Sequence, residues 1–520
     1  MKIKYASIAI VTLLISACGG GSSSSPKQNI IQPPGNNAPD APVWKEGEFL
    51  DASVFKNYCE APRSGSAFSD KDGTSMHEKM WIRSWSNETY LWYDEIADVD
   101  PKSYEVLAYF DTQKTTDTTP SGKAKDQFHF TYDTEEWEQR SQSGVVFGYG
   151  IEWAIISPKP PRKTVVVYTE PNTFASAQNI TRGSELLAID GIDFINTNSQ
   201  SEVNAINAAL FPKELNQSHT FKFRAVDGEE FTVTLSSASI ETSPVLTTKV
   251  IETPTGNVGY MQFNSFIAPA EEQLYDSFGE FKQNNVTDLV LDLRYNSGGL
   301  LYMASQLGYM IAGDNTNGTD FYRFKYNDKI AGQTIGYVTE TLGFADGFQA
   351  GLALPTLNLN RVFILTTDDT CSASEAVMNG LLGSDIEVIQ IGGTTCGKPY
   401  GFTGADNCGT TYFTIQFTGV NHINFGEYAD GFSAINSSNP AADPNALVEG
   451  CEVSDDYSKP LGDVSERLLS TALSYRNNGS CPVQPMASPA RYQRATYSND
   501  LMIKDDRIST LLRNNMIRGM

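Results

Sequence analysis

Histidine is scarce in this chain of 520 residues, with four in all, so a mechanism that depends on imidazole as base or metal ligand has few places to sit. Neither HExxH nor CxxC spacing occurs, and the sequence calls for no metal and no cofactor. Basic residues are also few. Lys and Arg number 38 against 62 Asp and Glu, a net charge of -24, which argues against nucleic acid as a partner because a phosphate backbone repels such a surface. The apolar run in the leader MKIKYASIAIVTLLISAC is about nine residues long, well short of the roughly 20 that span a bilayer.

That leader has Lys2 and Lys4 before the apolar run and small residues at its end, the pattern of an export signal. Ser16 and Ala17 before Cys18 resemble a bacterial lipobox, which implies residues 1–18 as a lipoprotein signal peptide and Cys18 as the lipid-bearing residue. The implied location is the bacterial cell envelope, as a periplasmic or outer-membrane lipoprotein held to the membrane by its anchor. Residues 19–45, rich in Gly, Ser and Pro, read as a flexible tether.

Six cysteines follow Cys18: Cys59, Cys371, Cys396, Cys408, Cys451 and Cys481. In an exported chain an even set favours disulfides, and six cysteines allow 15 complete pairings. Short loops favour Cys396 with Cys408 and Cys451 with Cys481.

The remaining length is too great for one hydrophobic core and suggests two or three domains. MHEKMWIRSWSNETYLWYD carries Trp81, Trp85, Leu91 and Trp92 at roughly helical spacings, giving an N-terminal helical region over 46–140. Over 141–243, runs such as KTVVVYT and HTFKFRAV alternate with turn residues and one helical stretch, SEVNAINAAL, which describes a compact β module. Over 244–482, apolar strands such as VTDLVLDL and RVFILTT alternate with helical segments such as AEEQLYDSFGEFKQ, the pattern of an α/β layer. Residues 483–520 form a Pro- and Ser-containing tail with a short helical pattern at DRISTLLRNNM.

Three segments carry candidate chemistry. In TCSASEAVMNG, Ser372 and Glu375 match a capping box, so Ser372 has a structural use at a helix start. The same place suits a nucleophile, because free N–H groups and the helix dipole stabilise developing negative charge. In LVLDLRYNSGGLLYM, Gly298 and Gly299 follow a strand, where a sharp turn presents N–H groups to a ligand. In IGGTTCGKPYGF, Lys398 follows a glycine at the same expected sheet edge.

Together, DLRYNSGG at 292–299, SASE at 372–375 and TTCGK at 394–398 resemble the carboxyl-terminal processing peptidases, or tail-specific proteases, which use a Ser-Lys dyad. VGYMQFNSF and PLGDVSERLLSTALSY extend the resemblance, which covers roughly residues 75 to 475. It implies a ClpP/crotonase-like α/β catalytic core, with Ser372 as nucleophile and Lys398 as base. A solvated lysine, with a pKa near ~10.4, cannot take the serine proton, so Lys398 must be desolvated, against neighbours such as Tyr400 and Phe402. The oxyanion would meet the N–H of Ala373 and of Gly298 or Gly299. Ser374 competes as nucleophile, though the motif alignment favours Ser372; Cys371 is expected to be paired.

Relatives often carry glycine after the lysine and glutamine four residues beyond it, where this chain has Pro399 and Phe402. The third catalytic member is therefore open, with Gln416 as a candidate. The β module resembles a PDZ domain: VVFGYGIEW looks like its carboxylate-binding loop and EPNTFASAQNITRGSELLAIDGIDF like its central segment. This implies an extended C-terminal peptide bound at Gly148, Tyr149, Gly150 and Ile151. The reading is a serine endopeptidase acting on protein or peptide substrates. Its rival is a PDZ-containing scaffold that binds peptides and has lost catalytic power.

Overall fold

The computed structural model describes residues 40–119, 121–212, 214–439 and 442–482, together with the backbone of 514–516. The expectations for the export signal, Cys18, residues 19–39 of the tether and residues 483–513 of the tail fall outside the described residues. No helix among the described residues is long and apolar enough to cross a membrane.

The centre is a six-stranded sheet in the order Val245–Ile251, Asn257–Phe263, Val286–Asp292, Arg361–Thr366, Glu387–Gly392 and Gly450–Glu452. The first pair is antiparallel and the rest are parallel. Parallel strands need crossovers, and the helical patterns between the apolar runs supply them. The apolar runs are continuous because both faces are covered. Leu289, Leu291, Val362 and Ile364 pack with the helices Ala270–Gln283, Leu301–Ala312 and Ala373–Gly383. Their alternate neighbours Val290, Phe363 and Leu365 pack with Leu468 and Leu469 of Arg467–Asn478. The result is a mixed α/β layer, as the strand and helix patterns predict.

A second sheet runs Glu230–Ser236, Ser218–Arg224, Glu185–Ile189, Lys163–Thr169 and Ile151–Ser157, all antiparallel. Helix Gln200–Leu210 closes it, with Val203, Ile206 and Leu210 buried against Trp153, Phe221 and Phe223. Val145–Gly148 pairs with Ala238–Glu241 as a two-stranded ribbon between this module and the central layer.

The N-terminal region is more entangled with the central layer than a helical unit would be. Helix Ser75–Thr89 carries the expected aromatic core, in which Trp81 and Trp85 stack at 5.3 Å, but Tyr412 from the central part completes it. The helix stops at Thr89 because Tyr90 turns extended and the N–H of Leu91 is donated to the Ile415 carbonyl. Strand Phe130–Asp133 pairs antiparallel with Thr410–Phe413.

The disulfides correct one sequence expectation. Cys451 does join Cys481, with Cα atoms 5.6 Å apart, but Cys396 joins Cys371 (5.2 Å) and Cys408 joins Cys59 (5.5 Å). Loop length favours a local Cys396–Cys408 bridge, yet the hairpin of Ala405–Asn407 and Thr410–Phe413 carries Cys408 away to the N-terminal region. Asn514–Met516, placed by the sequence at the end of a short helix, instead form a strand parallel to Gly298–Leu300.

Candidate active site

Ser372 stands at the N-terminus of Ala373–Gly383 with φ 67° and ψ -113°. A side chain in that region costs roughly 1–3 kcal/mol and persists only where the surroundings impose it. The imposing groups are specific. The Cys371 N–H is donated to the Asn296 carbonyl at 3.0 Å, and the Ser374 hydroxyl is donated to the same carbonyl at 3.0 Å. Asn296, from the glycine-pair motif, thus fixes the turn that carries Ser372. Ser374 is spent on this tie, whereas Ser372 caps the helix in the expected box with Glu375.

Glu375 does more than cap. Its Oε2 accepts from the N–H of Ser372 at 2.9 Å and from the N–H of Lys398 at 2.8 Å. Its Oε1 accepts from the Thr395 hydroxyl at 2.5 Å and the Gly397 N–H at 2.8 Å. Burial pushes its pKa up, and these donors pull against that shift. One buried carboxylate therefore joins the serine turn to the lysine loop, a role the capping-box pattern concealed because the box already accounts for the residue.

Lys398 is fully buried. Its Nζ lies 4.3 Å from the Phe402 ring centre and 5.0 Å from that of Phe128. Phe402, held between Phe130 and Phe413, faces the lysine as the sequence suggested, while Tyr400 packs edge-on against Trp92 at 5.0 Å. Phe128 comes from the N-terminal region, and nothing in its local sequence pointed to this duty. Gln416 is engaged with Thr403. Its Oε1 accepts from the Thr403 N–H at 3.1 Å and its Nε2 is donated to the Thr403 carbonyl at 3.0 Å, so it braces the loop behind Phe402.

The glycine pair lies beside the turn. The Gly298 N–H is donated to Asn296 Oδ1 at 2.9 Å, so that side chain claims Gly298 but not Gly299. Gly299, at φ 137°, approaches the chain so closely that an added Cβ would sit 2.3 Å from the Phe266 carbonyl oxygen. Ala373 begins the helix directly after Ser372.

A cleft of about 1060 Å³ runs from the β module to this site, lined at one end by Gly148, Tyr149, Gly150 and Ile151 and at the other by Ser297, Gly299 and Leu300. Ser372 and Lys398 are buried and form no part of its wall. Its volume lies at the top of the usual range for ligand pockets, roughly 300–1,000 Å³, and its walls come from both the β module and the glycine-pair segment. Tyr149 is fixed by its hydroxyl, donated to the Ala209 carbonyl at 2.8 Å.

Below the glycine pair, Arg294 is fully buried and paired with Asp292, Asp455 and Glu466. Arg182 of the β module reaches the same Asp455 at 2.8 Å. Burial alone would raise the Asp455 carboxyl, but Arg294 and Arg182 overcome it and hold its pKa well below the usual range. Cys371, Glu375 and Cys396 place their ligating atoms within 4.8 Å, yet the two sulfurs are bonded to each other and the carboxylate is engaged with four donors, a poor donor set for a metal.

Residues 257–406, which contain all three motifs, match the family model for Peptidase family S41. The carboxyl-terminal-processing protease of Picosynechococcus sp. is 27% identical over 259 residues, covering 50% of this chain and 56% of that protein. Carboxyl-terminal-processing peptidase 2, chloroplastic, of Arabidopsis thaliana is 24% identical over 263 residues, covering 49% and 46%. The chain thus spans about half the length of the curated relatives it matches. Among solved structures, a Bacteroides fragilis protein described as an S41 protease superposes with a TM-score of 0.55 at 21% identity, over 80% of this chain and 100% of that one, which is a likeness of fold. The family match and the relatives support a serine-type peptidase.

Proposed function

We propose that this chain is a serine endopeptidase of the carboxyl-terminal processing kind, with Ser372 as nucleophile and Lys398 as base. The observation that carries this reading is the Glu375 carboxylate, one oxygen of which accepts from the backbone N–H of both Ser372 and Lys398 and so ties the segments that bear the two candidate residues at a helix start. Ser372 Oγ attacks the scissile carbonyl carbon while its proton passes to Lys398 Nζ. The oxyanion meets the Ala373 N–H and the N–H of the glycine pair, of which Gly299 is the one Asn296 leaves unclaimed. Collapse breaks the C–N bond, and the leaving amine takes the proton from Lys398. Water then attacks the acyl carbon, losing a proton to Lys398; collapse breaks the C–Oγ bond, Lys398 returns that proton to Ser372 Oγ, and the new carboxylate departs.

The base must be neutral to take the serine proton, and complete burial against Phe402 and Phe128 is the kind of site that a proton-accepting lysine requires.

The cleft supports capture of an extended segment. In this reading 141–243 is a PDZ-like module that takes a C-terminal peptide at Gly148 to Ile151, 244–482 is the catalytic core, 46–140 buttresses it, and Cys18 anchors the chain in the cell envelope. Asn514–Met516 lying parallel to Gly298–Leu300 supports the idea that this edge accepts an extended strand. The second reading, a binding scaffold, rests on Phe402, which occupies the space beside Lys398 Nζ. Incubating the purified chain and its Ser372→Ala variant with a denatured protein separates the two. Cleavage by the parent alone supports the enzyme; binding without cleavage by either supports the scaffold.

A further inference from the structure

The mechanism makes no use of the Cys371–Cys396 disulfide, yet its position is unusual. Cys371 directly precedes Ser372, and Cys396 lies two residues before Lys398. Both half-cystines are buried, and they form a small apolar cluster of their own. The Cys371 N–H is donated to the Asn296 carbonyl and the Cys396 N–H to the Thr370 carbonyl, each at 3.0 Å, so the covalent bond crosses where the glycine-pair, serine and lysine segments meet.

The lysine loop between the strands Glu387–Gly392 and Tyr400–Gly401 has no regular secondary structure, so individual bonds such as that from the Cys396 N–H to the Thr370 carbonyl, rather than a strand ladder, set it against the serine segment. Ser372 sits at a positive φ that the chain would leave if released. Glu375 also links the two segments, as a buried carboxylate whose charged form burial disfavours. Proton transfer between serine and lysine tolerates little drift, since about 1 Å of misplacement can cost roughly 10²-fold in rate.

We propose, resting on the peptidase reading above, that the Cys371–Cys396 disulfide is a positioning element that holds the Ser372 turn against the Lys398 loop, so that the chain becomes a competent peptidase only when these two thiols are oxidised. Oxidation joins the two sulfurs and passes two electrons and two protons to a disulfide-bearing exchange partner, which leaves as its dithiol. A chain still in a reducing compartment is then folded but idle, and the activity appears where disulfides persist.

The test compares the parent, a Cys371→Ser/Cys396→Ser double variant and a Cys451→Ser/Cys481→Ser double variant, which removes a disulfide that bonds to neither the serine turn nor the lysine loop. Each is assayed for kcat and KM on a peptide cut by the parent, with circular dichroism to follow the fold. We expect kcat of the first variant to fall about 10²-fold with KM within about twofold and the native spectrum kept, while the second retains the parent kcat. Stepwise reduction of the parent by dithiothreitol, with thiols assigned by mass spectrometry, should lose activity in proportion to free Cys371 and Cys396 before the spectrum changes. Undiminished kcat in the first variant, or unfolding in step with the loss of activity, would make the disulfide a general stabiliser and overturn the proposal. If the oxidised parent itself cleaves nothing, it is the peptidase reading that fails.

Discussion

Two serines two residues apart are assigned opposite duties by their hydrogen bonds. Ser374 holds the Asn296 carbonyl, and Ser372 occupies the strained position at the helix start. Ser372→Ala should therefore abolish proteolysis while costing at most about 0.5–2 kcal/mol of stability, the value of a lost helix cap. Ser374→Ala should reduce stability but leave measurable turnover; the opposite pattern in a protease assay would reassign the nucleophile. Lys398→Arg keeps the charge and cannot lose it, so it should be as inactive as Lys398→Ala, and turnover by the parent should rise with pH as the lysine sheds its proton. Both residues are singled out in the sequence because each stands in a short motif. Glu375 was only half legible: S-x-x-E explains a cap, whereas its bond to Lys398 depends on a loop more than 20 residues further on. Phe128 was not legible, since a lone aromatic beside a lysine distant in sequence leaves no periodic pattern.

Among the elements, the strands and helices of the central layer follow their apolar periodicity closely; AEEQLYDSFGEFKQ is the helix Ala270–Gln283 residue for residue. Elements whose ends depend on partners were harder to read. The tryptophan helix stops where Leu91 finds Ile415, and Phe130–Asp133 becomes a strand because Thr410–Phe413 offers an edge. The junction between β module and central layer rests on the buried Arg182–Asp455–Arg294 group. Asp455→Asn leaves two guanidinium groups short of a counter-charge and should cost about 3–5 kcal/mol, read as a lower denaturant midpoint. The sign with pH follows from the depressed carboxyl. Its stabilising contribution is complete above the unfolded value near ~3.9 and drains away as pH falls through the folded value, so stability of the parent should drop on acidification more than that of the variant.

At the scale of the whole molecule, the site depends on parts distant in sequence. The N-terminal region supplies Phe128 to the lysine, a strand to the hairpin behind Phe402 and Cys59 to Cys408. Burial of Lys398, expected beside Tyr400 and Phe402 from its role as base, is thus completed by Phe128, a residue that no motif pointed to. All six cysteines beyond Cys18 should be oxidised in exported material, in the pairs 59–408, 371–396 and 451–481, as peptide mapping by mass spectrometry would show. Several free thiols in such material would contradict the arrangement.

The central claim is that Ser372 and Lys398, brought together through Glu375, cut peptide bonds. The most direct measurement is a digest of a denatured protein by the purified chain beside its Ser372→Ala and Lys398→Arg variants, with the products sequenced. The account predicts new peptides from the parent and none from either variant, all three proteins remaining folded. Equal digestion by the parent and the Ser372→Ala variant, or intact substrate with all three, would contradict it.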